Sequence, residues 1–334
     1  MDLVEKLESA NPALHSCLDD IRKFCVARWK IPYLSWFTNH DVEHSEEIIH
    51  LLGQILKPIE NQESFLTEHE LFVLLASAYL HDIGMQSLKI DGTPINELTP
   101  QQYNEIRKRH AQESFDVILK RVMTVERDDF HLPESLDEDY VSSIAFVSKG
   151  HSTDFFDEVI EEFKKNPPTP KNRPIRAEML TALLLIADEL DLHNKRADFS
   201  KMAQIDVSSY TQLHLFKHHY VNYVSVENGT VKLTLMFPPK SEDYKELIRE
   251  YIETKLIEQI EKVNPVLKKE TANHLHLESK VDIQIKEDST GCVKRPLPPE
   301  VLEELEKILG KKEQAMTEEM RSERTVSDRV NCVV

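Results

Sequence analysis

The chain has 334 residues, 40% of them hydrophobic and only 7 of them glycine, which suits a helix-rich globular protein of one large domain or two. A formal charge of −18 excludes a general nucleic-acid sleeve, which needs exposed excess lysine and arginine, while leaving room for a local basic pocket. No apolar run is long enough to span a bilayer. MDLVEKLESANPALHS carries charges where a signal peptide needs its apolar stretch, and four cysteines without a CxxC pair fit a reducing compartment. The expectation is a cytoplasmic protein with no membrane association.

Residues 1–37 read as a helical extension ending in WKIPYLSWF, whose aromatics are expected to pack under the main domain. Thr38-Asn39-His40-Asp41 has the capping-box pattern, an acid three residues after a hydroxyl. The helix it opens carries His44, Ile48, Leu51, Leu52 and Ile55 on one face and stops at Pro58, with His40 and His44 as i, i+4 neighbours. Thr67-Glu68-His69-Glu70 repeats the start signal and launches LLASAYLHDIGM, residues 74–85. Leu71, Leu74, Leu75 and Ala78 recur at helical spacing, and His81 and Asp82 continue that stripe toward the core. A polar group buried there costs roughly 2–7 kcal/mol unless it is partnered, and a divalent metal is a partner that accepts both side chains together. The competing reading is a helix C-terminus with a capping histidine and a surface aspartate, closed by Gly84.

Thr99-Pro100-Gln101-Gln102 starts a further helix with proline in its first turn, on which Ile106, His110, Ser114 and Ile118 line up. Ser135-Leu136-Asp137-Glu138 opens the next, which ends at Gly150 with His151 immediately after. A proline-rich loop, FKKNPPTPKNRP, precedes RAEMLTALLLIADELDL, the most apolar helix, with Asp188 in its stripe. A mid-helix carboxylate among Leu, Ile and Ala needs a cation, either a metal or an arginine. Beyond about residue 203 the texture alternates. VNYVSVENGTVKLTLMF is a hairpin centred on Asn228-Gly229, followed by a long amphipathic helix and the strand VDIQI. From about residue 291 the chain is an acidic helix, PPEVLEELEKIL, and a polar tail. The expected fold is mainly α: a helical bundle over 38–203, a small α+β subdomain over 204–290, and terminal segments 1–37 and 291–334. The C-terminal subdomain is the expected surface for homo-oligomer formation or partner docking.

The order His44, His81-Asp82, His110, His151, Asp188 on consecutive helices resembles the HD superfamily of metal-dependent phosphohydrolases, over roughly residues 25–200. LHDIG and the downstream ADELD are the most specific parts of that resemblance. TNHDVEHS at 38–45 and LLLIADELDL at 183–192 look closest to HD domains associated with prokaryotic defence and nucleotide-signalling systems.

The resemblance implies an HD-type bundle in which His44, His81, Asp82 and Asp188 hold a first ion. Asp82 then bridges to a second ion bound by His110 and His151, with Asp82 and His81 at the centre of the chemistry. It implies one or two divalent transition-metal ions, since imidazole with carboxylate suits Mn, Fe, Co, Ni or Zn. It also implies hydrolysis of a nucleotide or cyclic (oligo)nucleotide phosphate ester. HDIGMQ lacks the acidic pair of alarmone hydrolases, the glycine-histidine stretch of deoxynucleotide triphosphohydrolases and the GYP signature of cyclic-di-GMP phosphodiesterases, so no motif selects a substrate. The alternative function is a nucleotide-sensing regulatory module using the same pocket.

Several residues carry two readings. His151 can cap carbonyls after a glycine, and His110, flanked by Arg107, Lys108 and Arg109, can belong to a solvated basic face. His40 reads as a cleft-wall residue. Lys149, Arg176, Lys195 and Arg196 lie next to the ligand-bearing segments and are candidates for phosphate contacts or for surface ion pairs. His214, His218 and His219 read as surface or interdomain residues.

Overall fold

The structure is a computed structural model that describes residues 1–30, 41–86, 99–125, 128–197, 199, 208–289, 291, 293 and 295–310. It is mainly helical with a small α+β part, as the patterning predicts, and carries a second small sheet that the patterning did not indicate. The N-terminal segment is two helices, α1 (Leu3–Ala10) and α2 (Pro12–Trp29), where one had been expected. Pro12 cannot continue a helix from residue 8, but it starts one at no cost, and Asn11 caps it by accepting from the Leu14 N–H.

α3 (Val42–Ile55) has Asp41 as its N-cap. Thr38 and His40, expected at this start, lie outside the described residues, as do Tyr33, Trp36 and Phe37; Trp29 packs against the core. α4 (Glu68–Leu80) starts with the expected Thr67–Glu70 capping box. It is not a one-sided stripe, since every residue from Glu70 to Leu80 is buried. That burial on all sides follows from its neighbours: α1, α2, α3, α6 and α8 all pack on it.

α5 (Pro100–Lys120) begins at the expected start with Pro100 in its first turn, where Thr99 and Gln102 form a capping box, and leads into a short antiparallel pair, β1 (Val122–Val125) and β2 (Asp128–His131). α6 (Glu138–Lys149) is capped by Asp137 rather than Ser135, whose hydroxyl instead donates to Asp20 on α2 at 2.9 Å. α7 (Thr153–Lys165) and the proline-rich loop lead to α8 (Ala177–Leu190). α8 is the second central helix, packed by α3, α4, α6, α7 and α10.

A 3-10 turn, Asn194–Arg196, follows, and α9 (Ser209–His219) packs on it. β3 (Val221–Glu227) and β4 (Thr230–Phe237) form the predicted hairpin, with Asn228 and Gly229 at φ 52° and 85°. Both residues of the two-residue turn need positive φ, which asparagine and glycine supply with least strain. β5 (Val281–Glu287) joins β4 in parallel, after α10 (Lys245–Glu270) crosses over. Residues 299–310 form a last helix. One hydrophobic cluster runs from Leu3 to Leu309, so the α+β part shares its core with the helical part. Among the described residues no helix is long and apolar enough to cross a membrane.

Candidate metal centre

Five segments bring their polar residues to one point. His44 lies in the first turn of α3, His81 caps the end of α4 with Asp82 just beyond, and His110 sits midway along α5. His151 follows the Gly150 cap of α6, and Asp188 lies in the last turn of α8. The buried glycine 84 sets the α4–α5 spacing. A Cβ there would stand 2.3 Å from the Ser114 nitrogen and 2.5 Å from the His110 oxygen, both backbone atoms of α5.

The arrangement has two halves, with Asp82 between them. Oδ2 of Asp82 lies 3.2 Å from His81 Nε2 and 3.7 Å from His44 Nε2. His44 Nε2 is 3.2 Å from His81 Nε2 and 3.2 Å from Asp188 Oδ1. Oδ1 of Asp82 faces the other way, 3.4 Å from His110 Nε2 and 3.7 Å from His151 Nε2, which are 2.9 Å from each other. Donor atoms about 2.1 Å from a common ion stand roughly 3.0–3.4 Å apart in octahedral or tetrahedral coordination, close to these spacings.

The other ring nitrogens decide the chemistry. Nδ1 of His81 lies 3.0 Å from the Ala78 carbonyl, Nδ1 of His110 2.5 Å from that of Arg107, and Nδ1 of His151 2.5 Å from that of Ser148. Each uses the carbonyl three residues back, where the chain is helical. His44 stands too early in α3 to have such a carbonyl, and its Nδ1 meets Oδ2 of Asp191 at 2.6 Å instead. An Nδ1 facing an acceptor carries the proton, which leaves the Nε2 lone pair free. Four Nε2 lone pairs therefore point at one another and at two carboxylates. Only a positive charge relieves that arrangement, so the residues fit a divalent cation. The sets His44, His81 and Asp82; His81, His151 and Asp188; and Asp82, His110 and His151 each have donor atoms within 4.8 Å of one another.

Without an ion, a proton takes part of that role. Burial disfavours the imidazolium of His81, but the carboxylates of Asp82 and Asp188 outweigh it and raise the pKa to about 9. Burial, together with charge on His81 and His110, drives His151 down to about 3. Burial also opposes ionisation of Asp188, yet the His44 hydrogen bond and the charge of His81 hold its carboxyl well below the usual range.

Asp188 is not the buried mid-helix carboxylate expected from its stripe. It sits in the last turn of α8 and its side chain is 23% exposed, compared with 17% for His110, so these two ligand candidates are the ones that reach solvent most. His110 turns inward while Lys108 and Arg109 are exposed, and His151 both meets a carbonyl and faces the centre. His40 lies outside the described residues.

Two candidates for phosphate contact prove to be scaffold. Arg176 donates to both carboxylate oxygens of Glu70 at 2.8 Å and to the Ser64 and Phe65 carbonyls, tying the start of α8 to the start of α4. Lys149 is buried, 2.8 Å from Glu158 and over the Phe155 ring. Arg196 is also buried, with Nη1 3.0 Å from the Asp191 carbonyl and 3.4 Å from its Oδ2. His218, read from the sequence as a surface or interdomain residue, is buried and so is not at the surface.

Asp191 is the residue that reading the sequence missed. Its signal was present, an aspartate one turn after Asp188 in ADELD, but only the fold shows that it reaches His44 across 147 positions. Burial disfavours its charge, yet His44 and Arg196 hold its pKa below the usual range. Asp191→Asn is expected to weaken metal affinity about 10-fold, the low end of the 10–100-fold typical of such supporting partners. Metal titration of the variant checks it, and unchanged affinity would make Asp191 a fold residue only.

Comparison with known proteins adds one match. The family model HD-CE matches residues 32–262, running past the bundle through the hairpin and into α10. No curated protein and no solved structure matches. Since the match covers most of the chain and spans every residue of the His/Asp cluster, the protein belongs to the HD-CE family and carries an HD-type domain.

Proposed function

We propose that this chain is a metal-dependent phosphohydrolase or phosphodiesterase acting on a nucleotide or cyclic (oligo)nucleotide phosphate ester. The observation that carries this reading is the division of Asp82 between two donor sets, Oδ2 toward His44 and His81 and Oδ1 toward His110 and His151. His44, His81, Asp82 and Asp188 would hold one divalent ion, and Asp82, His110 and His151 a second. Such ions activate water for attack and offset the negative charge of a phosphoryl group. The chain's own part is to keep the donors deprotonated and oriented. Three backbone carbonyls and Asp191 fix the imidazole tautomers. Arg196 braces Asp191, and burial of His81 and His151 keeps bulk water off the inner wall. The partly exposed side chains of Asp188 and His110 leave the donors within reach of a phosphate ester from solvent.

The test is metal analysis of the purified protein, then phosphate or nucleoside release from a panel of nucleotides and cyclic nucleotides with Mn²⁺ or Ni²⁺. Turnover that depends on added metal and is lost on chelation supports the proposal. Bound metal with no ester cleaved would favour the sensing module instead.

A further inference from the structure

The three-stranded sheet has two edges, β3 and β5, and they are finished differently. β3 is blunted. Its register slips between Val221 and Tyr223, α3 packs on it, and the Gln54 side-chain oxygen accepts from the Val226 N–H at 2.6 Å. Such devices keep an edge from pairing with another chain. β5 has none of them. It runs in unbroken parallel register with β4 from Val281 to Glu287 and contains no proline or glycine.

The hydrogen bonds of β5 show which of its groups are left open. The Asp288 N–H donates to the Phe237 carbonyl, just beyond the Phe237–Glu287 pair, so in a regular strand residues 282, 284 and 286 also turn their backbone N–H and C=O toward β4. Those of Val281, Ile283, Ile285 and Glu287 point to the other side, where no hydrogen bond meets them among the described residues. The side chains divide in the same way. Asp282, Gln284 and Lys286 are exposed on one face, while Ile283 and Ile285 lie half-buried on the other, against the core.

Reversed, this strand is its own complement. Set antiparallel to a second copy about a two-fold axis at Gln284, its open backbone groups fall opposite one another: Ile283 faces Ile285 of the second copy, and Val281 faces Glu287. Asp282 then stands opposite Lys286 on both sides of the axis, in the closely spaced, non-hydrogen-bonded positions where opposite charges stabilise a sheet. Charges that merely guard an edge need no such symmetry about the middle of the strand. A self-complementary two-fold contact is also the commonest way for identical chains to associate. We infer that β5 pairs antiparallel with β5 of a second copy, joining two three-stranded sheets into one.

Sedimentation of the full chain across a concentration series should show a reversible dimer. Asp282→Lys sets lysine opposite lysine and Lys286→Glu sets acid opposite acid, so each should weaken the dimer at least about 10-fold. The double variant restores opposite charges and should recover most of the affinity. Both side chains are exposed, so the melting temperature of the monomer should not move. A wild type that stays monomeric, a dimer indifferent to both reversals, or a double variant as weak as the single ones would overturn the inference. So would slow amide exchange at Ile283 and Ile285 that dilution leaves unchanged, because another segment of the same chain would then cover the edge. None of these readouts uses metal or turnover, so the proposed hydrolase stands or falls separately.

Discussion

Replacing Asp82 with alanine is expected to leave the protein with little bound metal and to lower metal-dependent turnover at least about 1,000-fold, the effect of losing several kcal/mol of charge stabilisation. Among the described residues Asp82 is the one carboxylate whose two oxygens meet both halves of the cluster, so its loss breaks both donor sets at once. It also removes the first carboxylate that favours charge on His81, leaving that imidazole buried with less support. By contrast, His44 and His110 each fall in one donor set only. Elemental analysis and single-turnover assays of the variant check the expectation, with helical circular dichroism as the control for folding. A variant that keeps both metal and activity would refute the bridging role.

The second large effect is on stability. Gly84→Ala is expected to cost about 3 kcal/mol and to lower the melting temperature by roughly 5–10 °C. The added methyl would meet backbone atoms of α5 at 2.3, 2.5 and 2.8 Å, and backbone cannot rotate aside as a side chain can. The Gly84 N–H also donates to Ser114 Oγ at 2.9 Å, so the strain falls on a contact already fixed. Relief requires α5 to move away from the end of α4, which lengthens the 3.4 Å separation of Asp82 and His110. The variant should therefore lose the His110–His151 half of the metal content before the other half. Differential scanning calorimetry and metal stoichiometry test both parts, and an unchanged melting temperature would show that the helices can separate freely.

Read against these contacts, the residues divide by how far apart in the chain their partners lie. Local signals were legible. The Thr67 capping box, the helix start at Thr99-Pro100, the Asn228-Gly229 turn and the Gly150 stop each depend on atoms within a few positions, and all appear in the fold. The tautomers of His81, His110 and His151 belong with them, because each uses a carbonyl three residues back. Where several polar residues compete for one helix start, the pattern alone misjudged it: Asp137 rather than Ser135 caps α6, because Ser135 is held by Asp20.

By itself the sequence determined which residue types recur at helical spacing, and hence that the chain is mainly helical with a hairpin near its C-terminal end and a set of histidines and aspartates at helix ends. Only the tertiary structure decided what those residues do to one another. Arg176 became the partner of Glu70, 106 positions away, and Asp191 the partner of His44, 147 positions away. The physical reason is range: hydrophobic periodicity and capping act within a turn or two, whereas the cost of burying a charge is set by whatever other segment packs against it, which spacing along the chain does not encode.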